Sequence, residues 1–74
     1  MSNTNFNYSK LRGRIREIYG TETKLAADMG MDRMALSVRL NNKREFSQTE
    51  ILKICELLKI GMEGVVDYFL TIRD

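Results

Sequence analysis

The sequence predicts a small all-α domain of five helices. The 74 residues suffice for one domain. The chain contains no proline, and apolar residues recur at intervals of three and four between glycines, which is the period of amphipathic helices. The first seven residues are mostly polar, and a terminus of this kind is expected to be flexible. The predicted organisation is therefore a flexible segment at 1–7 and a single domain at 8–74.

The first two helices are predicted from their apolar spacing and their ends. Helix 1 is expected to begin between Asn7 and Ser9 and to end at Gly20. Its buried stripe consists of Tyr8, Leu11, Ile15, Ile18 and Tyr19. Helix 2 follows Thr21, a residue type that caps helix N-termini. Its inward side is predicted to consist of Leu25, Ala26 and Met29.

The connection between helices 2 and 3 is very short. Gly30 comes directly after the last apolar residue of helix 2, where a left-handed residue commonly ends a helix. Asp32 then offers a new N-cap, and Leu36 and Leu40 form the inner pair of helix 3. Two helices joined by a short turn that contains glycine predict a helix-turn-helix, here from about Thr21 to Asn42.

Helix 4 has a strong start signal and helix 5 an unusually wide apolar surface. Ser47-Gln48-Thr49-Glu50 is a capping box, flanked by Phe46 and Ile51 as a hydrophobic staple. The stripe predicted for helix 5, after Gly61, is Met62, Val65, Val66, Phe69 and Leu70, with Tyr68 and Ile72 beside it. Since monomers rarely expose large apolar patches, the sequence predicts a homodimer interface at Val65, Tyr68, Phe69 and Ile72. In the alternative, Tyr68 and Ile72 fold back onto helix 1 and the protein is a monomer.

Composition argues against catalysis and against a membrane or secreted location. The chain has no histidine, which excludes histidine bases and histidine metal ligands. Its five glycines are scattered and form no phosphate-binding loop. The single cysteine, Cys55, lies in an apolar run and is expected in the core. Neither a secretory signal nor a membrane-spanning run is found, so we expect a cytoplasmic protein without enzymatic activity, metal or cofactor.

The net charge of +2 conceals a division along the chain. Residues 1–44 contain nine Lys/Arg and four Asp/Glu, whereas residues 45–74 contain three Lys/Arg and six Asp/Glu. A basic N-terminal half suits contact with a polyanion. Two solvated helix faces of unlike charge would give the same pattern, so charge alone does not separate the two interpretations.

One stretch carries a family resemblance. Leu25-Ala26-Ala27-Asp28-Met29-Gly30-Met31-Asp32, followed by Leu36, Leu40, Asn41, Asn42 and Lys43, resembles the Cro and repressor-type family of phage helix-turn-helix regulators, in a short form typical of phages of Gram-positive bacteria. The resemblance covers about residues 8–72. It implies a compact lambda-repressor-like domain, active in the bacterial host cytoplasm, whose dimer places helix 3 in the major groove of operator DNA.

Two positions depart from the family pattern. Glu22 stands where the family often has a glutamine that hydrogen-bonds a phosphate, and a carboxylate there would repel one. Arg39 stands where the family usually has an aliphatic core residue, so Leu40 must supply that packing.

The candidate DNA contacts lie on and around helix 3. The predicted base contacts are Arg33, Met34, Ser37 and Val38, because arginine can pair with guanine and apolar side chains can pack on thymine methyls. The predicted phosphate contacts are Thr21, Thr23, Asn41, Asn42, Lys43 and Arg44. Several of these residues have a simpler alternative. Arg33 could be a solvated surface side chain, Thr21 could act only as a helix cap, and residues 41–44 could be a polar loop. Met34 and Val38 could instead contact a protein.

The leading functional hypothesis is a sequence-specific regulator of a phage genetic switch that binds double-stranded operator DNA, as a Cro-like repressor or modulator. The alternative is a protein-interaction module, an antirepressor that binds a larger repressor through its helix-turn-helix face. The apolar outer face of helix 3 and the acidic Glu22 favour this alternative, since both are poor for holding DNA. An antitoxin that regulates its own gene is a third hypothesis.

Overall fold

The computed structural model describes residues 5–73, and within them the chain forms five α-helices. Their bounds are α1 Ser9–Tyr19, α2 Glu22–Met29, α3 Arg33–Leu40, α4 Gln48–Leu58 and α5 Val65–Phe69. A 3-10 turn at Met62–Gly64 precedes α5. No β-strand occurs in this part of the chain, although Phe6 and Ile72 form one isolated antiparallel bridge. The predicted all-α, five-helix fold is confirmed.

The helix starts follow the capping residues that the sequence offers. The Thr21 hydroxyl accepts the backbone N–H of Lys24, and the Asp32 carboxylate accepts that of Ala35. Ser47 and Glu50 form the predicted capping box, in which each side chain bonds the other's backbone N–H. Each cap satisfies a backbone donor that would otherwise lack a partner at the first turn.

A single core lies between the helices. Its buried residues are Tyr8, Leu11, Ile15, Leu25, Ala26, Leu36, Leu40, Ile54, Cys55, Leu58, Ile60 and Phe69. One side consists of aromatic rings: Phe46 meets both Tyr8 and Phe69 edge-to-face, at centroid distances of 5.4 and 5.5 Å. Each of the five helices contributes to this core, which therefore fixes their relative positions.

Helix α5 is shorter than predicted. It ends at Phe69, and the hydroxyl of Thr71 donates to the backbone carbonyl of Asp67. Beyond it, Ile72 is extended and pairs with Phe6. The apolar residues predicted to form one stripe therefore face two ways. Val65 and Phe69 pack inward, whereas Met62, Val66 and Leu70 form an exposed apolar row.

This division corrects the predicted homodimer interface. Phe69 is only 1% exposed and belongs to the core, so its assignment to an interface is wrong. Tyr68 is half-buried, and the ammonium group of Lys10 in α1 lies 5.1 Å from its ring centroid. Ile72, which remains exposed, lies outside the helix.

The N-terminal segment also differs from the prediction. Asn7 donates its backbone N–H to the carbonyl of Thr71, and Arg73 donates to the carbonyl of Asn5. Phe6, between them, packs against the core. Residues 5–7 thus make contacts that the sequence did not predict, namely one packed aromatic side chain and a backbone pairing. The flexibility of the segment stays a prediction, and residues 1–4 lie outside the described residues.

Arg39 ties α3 to α4. Its guanidinium donates to both carboxylate oxygens of Glu50, at 3.0 and 3.1 Å, and to the backbone carbonyl of Ala35. The side chain is only 12% exposed. An ion pair thus occupies the position where the resemblance implies an aliphatic residue, while Leu40 is buried as expected.

The Glu50 carboxylate makes the stability of the fold dependent on pH. Its hydrogen bonds to Arg39 lower its pKa below the ordinary value of 4.5. A carboxyl whose pKa is lower when folded stabilises the protein above the unfolded-state pKa, and that stability is lost as the pH falls through the folded-state value. We expect the melting temperature to decrease between about pH 5 and about pH 3, and Glu50→Gln to show a smaller decrease. Parallel decreases in the two proteins would contradict this role.

Candidate interaction surface

The turn between α2 and α3 sets the position of α3. Gly30 is left-handed, with φ of 76°, and Met31 donates its backbone N–H to the carbonyl of Ala26 at 3.0 Å. Ala26 is buried, and its small side chain suits a close approach of the two helices. Leu36 and Leu40 are buried beneath α3. The opposite side of α3 consequently faces away from the core.

The four residues predicted as base contacts lie together on this outward side. Arg33 and Met34 are exposed, and the methionine side chain is 65% accessible. Ser37 and Val38, one turn further along, are half-buried. The centre of the surface is therefore apolar, with an arginine at its edge.

Two grooves flank α3. The first, which we call the basic cleft, has a volume of about 580 Å³ and lies among α1, the start of α2 and α3. Its lining includes Arg12, Arg16, Thr21, Glu22, Thr23, Arg33, Ser37 and Asn41. The second, the Met34 groove, has a volume of about 460 Å³ and is lined by Asp32, Met34, Ala35, Val38, Arg39, Lys43 and Arg44. Helix α3 is thus a ridge with a polar cleft on one side and a more apolar groove on the other.

Arg12 organises the polar groups of the basic cleft. It forms an ion pair with Glu22, at 2.9 Å, and donates to the Asn41 side chain and the Leu40 carbonyl. Asn41 in turn donates to the Ser37 hydroxyl. The charge of Glu22 is therefore balanced by Arg12. The Asn41 amide accepts a hydrogen bond from Arg12 and donates one to Ser37.

Asn42 has a structural role. It adopts a left-handed conformation with φ of 63°. Its side-chain carbonyl accepts the backbone N–H of Phe6 at 2.8 Å, and its amide donates to the Phe6 carbonyl at 2.9 Å. The side chain therefore pairs with a backbone much as a β-strand would, which removes Asn42 from the predicted phosphate contacts.

The remaining predicted contacts point to solvent. Thr23, Lys43 and Arg44 are exposed, while Thr21, also exposed, caps α2. Among residues 5–73, no ion pair forms at Arg16, Arg33, Lys43 or Arg44. Sequence reasoning assigned Arg33, Lys43 and Arg44 to this surface, but it did not name Arg12 and Arg16, which line the cleft.

Within residues 5–73 no cluster of His, Cys, Asp or Glu is arranged to hold a metal ion. Burial raises the pKa of the Cys55 thiol, which keeps it protonated and unreactive at neutral pH. No described helix is long and apolar enough to cross a membrane.

Comparison with known proteins identifies a family and a solved structure that resembles this chain. A search of curated proteins finds no significant match. The chain is similar to the solution structure of the modulator of repression (MOR) of the temperate bacteriophage TP901-1 from Lactococcus lactis, with 34% identity, 86% of each chain covered and a TM-score of 0.78. The model of a family described as a protein of unknown function, DUF739, matches residues 4–71. The chain therefore belongs to the DUF739 family.

Proposed function

We propose that this chain is a modulator of repression: it binds a larger phage repressor protein through the helix-turn-helix face and regulates the repressor by that contact. The relative from phage TP901-1 supports this proposal, because it shares the fold over most of both chains and is named a modulator of repression. Fold alone does not fix function, so the proposal also depends on the chemistry of the outward side of α3.

The observation that carries the proposal is the exposed apolar centre of α3. Met34 is 65% exposed, with Val38 beside it and a groove along their flank. Methionine is enriched at the centres of protein interfaces, where buried apolar anchors supply most of the affinity. DNA binding instead depends on many phosphate contacts, and two of the polar groups expected to make them, Asn41 and Asn42, are bonded within the chain.

Replacing Met34 with glutamate tests this proposal. A charge at an apolar interface centre must be desolvated without a partner, so affinity for the repressor of the same phage should fall by about 30-fold or more. Isothermal titration calorimetry measures the change. Leu52→Glu is the matched control, because Leu52 is 56% exposed on α4, outside both grooves. Equal affinities for wild type and Met34→Glu would exclude α3 as the binding side.

Operator binding is the second candidate function, favoured by the exposed Arg33, Lys43 and Arg44 around α3. Neutralising Lys43 and Arg44 should then weaken binding to all DNA sequences and reduce the salt slope by about 1 for each phosphate interaction that is removed. A homodimer spanning two half-sites would use the exposed row of Met62, Val66 and Leu70 rather than Phe69. Titration with the phage's regulatory DNA at two salt concentrations separates this function from repressor binding.

A further inference from the structure

We propose that the basic cleft receives an acidic side chain of the repressor, whose carboxylate enters between Arg16 and Arg33. The inference rests on the proposed function and adds to it the chemistry of the partner surface: an apolar contact for Met34 with an aspartate or glutamate beside it.

The charge of the cleft supports a carboxylate ligand. Three arginines and one glutamate line it, which gives a net charge of +2. Arg12 already forms an ion pair with Glu22 and donates hydrogen bonds to Asn41 and the Leu40 carbonyl. Arg16 and Arg33 are exposed and form no ion pair within residues 5–73. A guanidinium group can bond both oxygens of a carboxylate, so these two side chains, which line the same cleft, supply the charge and the donors that a carboxylate requires.

The hydroxyl groups of the cleft add neutral donors. Ser37 accepts a hydrogen bond from Asn41, which leaves its own O–H directed elsewhere. Thr23 lines the same cleft and is exposed. A carboxylate has about four acceptor positions, and two arginines with two hydroxyls can satisfy them together.

The acidic groups around the cleft favour a protein carboxylate over a DNA backbone. Glu22 forms part of the cleft wall, and Asp32 begins α3 on the side of the Met34 groove. Arg12 balances the charge of Glu22, but Asp32 has no ion-pair partner within residues 5–73. A duplex crossing this face would bring a row of phosphates past the Asp32 carboxylate, whereas a single side chain can approach the arginines and avoid it. Met34 and Arg33 are consecutive in sequence, so one partner surface can cover the apolar centre and reach the charged edge, as protein interfaces do.

The test measures repressor binding by calorimetry at about 50 and about 200 mM salt, using the repressor of the same phage. At low salt, the Arg16→Gln/Arg33→Gln variant should bind about tenfold more weakly than wild type. Raising the salt concentration should then weaken binding by the variant less than it weakens binding by wild type. Lys53→Gln/Arg73→Gln is the control: it removes the same charge from exposed positions outside the cleft and should bind like wild type. Arg16→Lys/Arg33→Lys keeps the charge and should recover part of the affinity. Thermal unfolding verifies that each variant is folded.

Three outcomes would overturn the inference. If the double glutamine variant keeps wild-type affinity and salt dependence while Met34→Glu loses binding, the cleft is not the receptor, although the proposed function stands. If wild type does not bind the repressor at either salt concentration, the proposed function fails and this inference fails with it. If the double glutamine variant keeps repressor binding but loses binding to a random-sequence duplex, the cleft holds phosphates instead.

Discussion

Phe69→Ala is expected to unfold a large part of the protein population at ambient temperature. Phe69 is 1% exposed and meets Phe46 edge-to-face at 5.5 Å. Removing a buried phenylalanine ring costs about 3–5 kcal/mol. A single core in a chain of this size supplies only about 3–5 kcal/mol of net stability. Urea denaturation followed by circular dichroism measures the loss.

Val66 provides the control for this prediction. It lies on the same helix but is 61% exposed, so Val66→Ala should change the free energy of unfolding by less than about 0.5 kcal/mol. If Phe69→Ala were as stable as Val66→Ala, Phe69 would lie on the surface and would again be available for the predicted dimer interface.

Glu50→Ala is expected to destabilise the protein by about 2–3 kcal/mol. The substitution removes the partner of a guanidinium that is only 12% exposed, and it also breaks the capping box of α4. The uncompensated charge on Arg39 is the larger contribution, since an unpaired charge away from water is costly. Chemical denaturation measures the difference.

A double variant separates the charge from the packing. Arg39→Leu/Glu50→Gln replaces the ion pair with an aliphatic residue on α3 and retains a side chain that can complete the capping box. Apolar replacements of ion pairs with little exposure are often close to neutral, so this variant should lie within about 1 kcal/mol of wild type. A loss as large as that of Glu50→Ala would show that the ion pair itself stabilises the fold.

The starts of α2, α3 and α4 and the end of α2 could be predicted because the signals for them are local. Thr21, Asp32 and Ser47 cap helices through backbone groups three residues away, and Gly30 ends α2 by its own conformation. Each signal depends on a short stretch of sequence, and neighbouring residues reinforce it. The fold and the outward position of Met34 follow from such signals combined with helical periodicity.

The interactions that distant residues make could not be predicted in this way. Arg12 bonds Asn41 across 29 positions, and Asn42 bonds Phe6 across 36. Nothing in the sequence indicates which of four basic residues in helix 1 balances Glu22. The end of α5 was missed for a related reason: its apolar spacing continues to Ile72, but pairing with Phe6 draws that segment out of the helix.

The most direct test of repressor binding through α3 is an NMR footprint of the complex. The labelled chain is titrated with the unlabelled repressor of the same phage, and backbone amide signals are compared before and after. We expect the largest changes at Arg33, Met34, Ser37 and Val38, with the exposed row of Met62, Val66 and Leu70 unaffected. Changes concentrated on that row, with α3 unchanged, would contradict the proposal.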